Sequence, residues 1–259
     1  VSYLKGMGNV FQRVERIKEV SEKILEYLND KTLDRSKIIE AANYCKNDLC
    51  SEIVYEFPEL QGIMGGKYLK NEGFCEEICL AVAEHYLPTF YKDALPSTKY
   101  GAIVSISDKI ETLISIFISG ERPSGSSDPY ALRRNLNGVI KIIWDFDLNF
   151  SLENIFDELL DLWNISFPNL SFIKHKVLDD LIEFLIQRIV SHLEEMSLDK
   201  KLIKAILPSD EFSIKRIINI VDLKNRINTI TFLKEKGRFD KVKKVISRVH
   251  KLANSGSLT

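Results

Sequence analysis

Apolar residues recur along this chain at three- and four-residue steps, which puts them on one face of a helix. Val10, Val14, Ile17, Val20, Ile24 and Leu28 form one such stripe. Ile103, Ile106, Ile110, Leu113 and Phe117 form a second, and Leu178, Leu181, Leu185, Ile189, Leu193 and Met196 a third. Thr98 and Ser171 stand where N-caps are wanted and predict helices over 100–118 and 173–196. No pair of alternating β-branched runs flanks an Asn-Gly or Asp-Gly turn, which weighs against a hairpin-based fold. The pattern predicts an all-α protein with short connections.

Three stretches interrupt the periodicity. Gly62-Ile63-Met64-Gly65-Gly66 reads as a tight turn rather than a phosphate-binding loop. Gly66-Lys67 is followed by Tyr68 where Ser or Thr would hold magnesium, and Gln61 stands where the opening glycine belongs. GERPSGSSDP at 120–129 is a loop, with Asp128 at an N-cap position and Pro129 in a first turn of the next helix. Asp145 to Ser151 is a weaker break.

The 259 residues are 45% hydrophobic and 28% charged, which excludes a mainly disordered chain and leaves room for one large or two small domains. No apolar run approaches the roughly 18 residues of a membrane span, and no signal peptide is recognisable. The net charge of -1 hides an asymmetry: residues 199–259 carry 15 Lys+Arg against 6 Asp+Glu. Such a basic end suits a polyanion, or else simply solvates helix faces. Cys45, Cys50, Cys75 and Cys79 are spaced C-x4-C and C-x3-C, unlike a zinc ribbon, and read as small buried core residues.

Catalytic signals are sparse. Neither H-E-x-x-H nor G-x-S-x-G occurs. His85, in AEHYLP, closes a helix before Pro88, where a histidine interacts well with the helix dipole. Asp108 falls opposite the stripe of Ile106 and Phe117, which predicts a solvent-facing carboxylate.

ELQGIMGG at 59–66, AEHYLP at 83–88, LPSTKYGAIVSISDKIETL at 95–113 and GERPSGSSDPYALRRNLNGVIKII at 120–143 occur in that order, with CKNDLCSEIVYEF at 45–57 and SRVHKLAN at 247–254. This succession resembles the β subunit of the bacterial two-subunit glycyl-tRNA synthetase, over a central-to-late portion of it. The resemblance implies a helical domain similar to the His-Asp phosphohydrolases over 1–150, a helical linker over 151–198, and the start of a helical anticodon-binding domain over 199–259. It implies a cytoplasmic ligase component with the α subunit and glycine tRNA as partners. ATP and Mg would act at the α subunit, with no cofactor within these residues. His85 and Asp108 match two metal ligands of active phosphohydrolases. The other positions do not match: Tyr86 replaces a second His, the His-Asp pair falls near Cys45-Lys46 or Asn47-Asp48, and the early His near Arg13 or Arg16. The implied metal site is therefore expected to be vestigial. Candidate tRNA contacts are Arg133 and Arg134, then Lys200, Lys201, Lys215, Arg216, Lys224 and Arg226. For the arginine pair the competing reading is an internal salt bridge to Asp128. A metal-dependent phosphohydrolase, or a docking module for the α subunit with no RNA affinity of its own, are the alternative functions.

Overall fold

A computed structural model describes residue 4 and residues 6–90, 92–166, 172–207 and 219–255. The described residues form α-helices and two short 3-10 turns, with no strand among them. The all-α expectation holds. The helices are α1 (Val10–Leu28), α2 (Arg35–Tyr44), α3 (Glu52–Glu56), α4 (Ile63–Asn71), α5 (Glu76–Glu84) and α6 (Lys99–Ile118). They continue as α7 (Leu132–Phe146), α8 (Leu152–Ser166), α9 (Lys174–Glu195), α10 (Lys200–Ile206), α11 (Ile220–Glu235) and α12 (Phe239–Ser255).

Local chemistry starts these helices. Asn9 and Gln12 form a capping box at α1, each side chain taking the other's backbone N–H at 3.0 Å. Thr98 caps α6 as its sequence position predicts, accepting from Gly101 N–H at 3.1 Å. The expected cap Ser171 lies outside the described residues.

α6 is the axis of the fold, packing on α1, α2, α5, α7 and α9. Its predicted stripe is buried, but so is nearly every other residue from Gly101 to Ile118. A helix wrapped on all sides must bury its polar positions too, and Asp108 is only 4% exposed. The expectation of a solvent-facing Asp108 is thus overturned: the wheel assumes one wet face, and α6 has none.

The GIMGG stretch is also corrected. Only Gly62 makes the turn, at φ +78°; Ile63 to Gly66 are the first residues of α4. Gly65 and Gly66 let α4 press on α5, where a Cβ on Gly66 would stand 2.5 Å from the Cys79 carbonyl oxygen. The cysteine expectation holds in part: Cys45 and Cys79 are buried, Cys75 is half-buried and Cys50 exposed.

The core is continuous from α1 to α11. Trp163 of α8 is fully buried, and its indole N–H donates to Glu19 of α1 at 2.7 Å. Burying one such aliphatic or aromatic side chain contributes roughly 1.5–3 kcal/mol.

Candidate functional site

Two groups of charged side chains stand out. The first is buried between α1, α5, α6 and the turn after α2. Here Lys46 donates from Nζ to Asp108 Oδ2 and to His85 Nε2, both at 2.8 Å. The Tyr86 ring covers the same ammonium, its centroid 3.8 Å away. Arg13 donates to Asp108 Oδ1 at 2.8 Å, to Thr112 Oγ1 at 2.9 Å and to Glu111 Oε2 at 3.0 Å. Arg16 donates to Glu111 Oε1 at 2.9 Å and to the Met7 carbonyl at 3.1 Å.

These contacts fix protonation. His85 Nδ1–H donates to the Val82 carbonyl at 2.6 Å, so Nε2 is the acceptor facing Lys46. Burial and the neighbouring Lys46 charge hold His85 well below its ordinary value, keeping it neutral. Burial alone would raise the Asp108 carboxyl, but Lys46 and Arg13 outweigh it and hold it below the usual carboxylate range. Burial alone would lower Lys46, and Asp108 outweighs that too. A second lysine, Lys109, donates to the carbonyls of Tyr86 at 3.1 Å and Leu87 at 3.0 Å, just beyond the C-terminus of α5. Burial pushes it down to about 7. The expectation that His85 itself meets the α5 dipole is therefore modified: a neutral imidazole takes one carbonyl, and a lysine from α6 takes the next ones.

The donor set does not fit a metal. A divalent ion needs several N or O ligands on one centre. His85 Nε2 and Asp108 Oδ2 converge, but on an ammonium. Arg13, where the resemblance seeks an early histidine, aims at Asp108 instead. Lys46 stands where the His-Asp pair is sought. Asp48, the other candidate position, turns its carboxylate to the start of α4, accepting the N–H of Gly62 at 2.6 Å and of Gly65 at 3.2 Å. Among the described residues no group of three or more His, Cys, Asp or Glu converges as metal ligands.

The second group lies open at the start of α7. A cavity of about 290 Å³ is lined by Arg133, Arg134, Lys141, Asn137, Phe90 and Asp128, with Pro88 and Gly138. Asp128 does not pair with the arginine side chains. Its carboxylate accepts the backbone N–H of Leu132 at 2.8 Å and of Arg133 at 3.0 Å. It therefore caps α7, which begins at Leu132, past the first turn anticipated at Pro129; Ala131 holds the left-handed backbone at φ +54°. The Arg133 guanidinium reaches only the Ser127 carbonyl, at 3.3 Å. The Arg134 guanidinium lies 4.9 Å from the centre of the Phe90 ring.

The basic end is mixed. Lys200 is exposed at the start of α10, and Lys201 follows it in the same helix. Lys224 donates to the Trp144 carbonyl at 2.7 Å and to Asp147 at 2.6 Å, closing the C-terminus of α7. Arg226 pairs with Asp222 at 2.8 Å one turn away. Lys215 and Arg216 lie outside the described residues. Lys46, Lys109, Phe90, Asn137 and Lys141 were not among the candidates read from the sequence. Only Lys46 carried a signal, as the residue standing in place of a ligand.

An all-helical protein with an ammonium-filled pocket and a cationic rim is thus the class that fold and sites define. The family described as the glycyl-tRNA synthetase beta subunit matches residues 1–208, and the chain belongs to that family. The resemblance read from 59–66, 83–88, 95–113 and 120–143 is borne out. Glycine--tRNA ligase beta subunit of Trichodesmium erythraeum is 37% identical over 262 residues, covering 100% of this chain and 36% of the relative. That of Picosynechococcus is 37% identical over 261 residues with the same coverage. That of Thermodesulfovibrio yellowstonii is 36% identical over 249 residues, covering 96% of this chain and 34% of its own length. The chain therefore spans about a third of the curated relatives it matches. No helix among the described residues is long and apolar enough to cross a membrane.

Proposed function

We propose that this chain is a tRNA-holding part of a glycyl-tRNA synthetase β subunit, acting in the cytoplasm. It supports ATP-dependent attachment of glycine by orienting the glycine tRNA, so that the acceptor end reaches an active site on the α subunit. ATP and Mg belong to that partner. Positioning of this kind lowers the entropic barrier of a two-substrate reaction without any chemical step in the positioning chain.

The observation that carries the reading is the rim at α7. Arg133, Arg134 and Lys141 surround one open cavity, and its single acidic lining residue, Asp128, is engaged by backbone N–H groups. Guanidinium groups held mainly by weak or aromatic contacts remain available to phosphate oxygens. The Lys46 ammonium between His85 and Asp108 argues against the metal-dependent phosphohydrolase alternative.

The test is a fluorescence titration of the chain with glycine tRNA and a non-cognate tRNA at rising salt. Affinity that falls steeply with salt is the expected result, because bound cations release counterions from RNA. No binding at low salt would instead leave the chain as a docking module for the α subunit.

A further inference from the structure

The cavity at α7 says more than that phosphates are held there. We infer that it receives a single unpaired nucleotide of the RNA, the base lying against Phe90 and the phosphate facing Arg133 and Arg134. This deepens the reading above and rests on it.

Phe90 is 61% exposed. A lone exposed aromatic is common and by itself says little. Its setting is what matters here. The ring forms one wall of a concave site, not a flat surface. The Arg134 guanidinium lies 4.9 Å from its centre, so aromatic ring and guanidinium plane together offer a stacking platform with a positive charge built into it. Asn137 lines the same cavity, and its Oδ1 is buried with no hydrogen-bond partner. A buried acceptor left unmet is unfavourable unless something supplies a donor. The amino or imino group of a base edge would do so once the Asn137 amide turns toward the cavity.

Size and class of ligand agree. About 290 Å³ is at the small end of ligand sites and accommodates one nucleotide rather than a duplex. Proteins read single-stranded RNA by taking unstacked bases onto aromatic rings and arginine planes and bonding their edges. Phosphate-only contact would need the cations, would use Phe90 only to hold Arg134, and would have no use for Asn137.

The test separates this inference from the reading it rests on. Phe90 is exposed, so Phe90→Ala folds normally by circular dichroism and thermal melting. We expect it to weaken binding of glycine tRNA by about tenfold, with the slope against salt unchanged, because stacking and not charge has been removed. Phe90→Trp retains binding. A short single-stranded oligoribonucleotide carrying 2-aminopurine is quenched by the natural chain and not by Phe90→Ala. Unchanged tRNA affinity in Phe90→Ala, or no quenching by the natural chain, overturns the nucleotide pocket. If Arg133→Ala with Arg134→Ala still weakens binding in that event, the tRNA-holding role stands; if that variant is also unchanged, the role falls with the pocket.

Discussion

The His85–Asp108 cluster and the α7 rim use similar side chains to opposite ends. In the cluster, each cation meets an anion or a lone pair inside the protein: Lys46 meets Asp108 and His85, Arg13 meets Asp108 and Glu111, and Arg16 meets Glu111. At the rim the one nearby carboxylate is diverted to a helix N-terminus, and the Arg133 and Arg134 side chains are left with a long carbonyl contact and an aromatic face. The place where the family likeness seeks metal ligands is thus occupied by the protein's own paired charges, while a surface with no catalytic signature keeps charge to offer. Side chains left without strong partners are the ones open to a ligand, and the satisfied cluster serves the fold.

The largest effect that would sharpen this contrast lies in the cluster. Lys46→Met leaves the buried Asp108 and His85 without their shared donor and should lower stability by about 3–5 kcal/mol in urea unfolding. Adding Asp108→Leu should cost less than the sum of the two single changes, because the second removes a buried carboxylate that the first leaves to Arg13 alone. Strict additivity would mean the ammonium is not engaged as described.

Acid comes next. His85 has a folded-state value well below its ordinary 6.5, so the unfolded chain binds the extra proton first as pH falls. Stability should therefore drop as pH goes below about 6.5, with a slope approaching 1.4 kcal/mol per pH unit from this one group. Asp108, held low, adds to the loss only below about pH 4, as it is protonated on unfolding. His85→Gln should flatten the curve between pH 6.5 and 5; an unchanged slope there would show that His85 is not the group responsible.

Smaller effects are expected outside the cluster. Lys224→Ala removes the donor at the end of α7 and should lower stability by about 1 kcal/mol or less, since the pair is partly exposed. Arg133→Ala with Arg134→Ala should change stability by no more than about 0.5 kcal/mol for each residue. A larger loss on thermal or urea unfolding would place the arginine pair with the structural charges and erase the distinction between the two sites.

Much of the scaffold was legible in the sequence because it is local. The stripe of Val14, Ile17, Val20 and Ile24 is buried on α1, and Thr98 caps α6, since both depend on residues within a turn or two. Legibility fails where neighbours decide. Asp108 sits on the polar side of a wheel, yet α1, the turn after α2 and the end of α5 cover that side with Arg13, Lys46 and His85. The glycines of GIMGG resemble a turn until α5 packs on them, at which point two of them prove to be helical spacers. The α7 cavity joins Phe90 to residues more than 40 positions later, and no local periodicity announces that meeting. Arg133 and Arg134 were found only through the family likeness of the segment that contains them. Even then, only the three-dimensional arrangement reveals that Asp128 caps the helix instead of neutralising them.

The α7 rim is tested most sharply by a salt series of glycine tRNA binding for the natural chain and for Arg133→Ala with Arg134→Ala, both verified as folded. Weaker binding is expected in the variant, with a log-affinity against log-salt slope shallower by about two, one for each lost phosphate contact. A folded variant with the natural affinity and the natural slope would contradict it, because the arginines at α7 would then be holding nothing that carries phosphate.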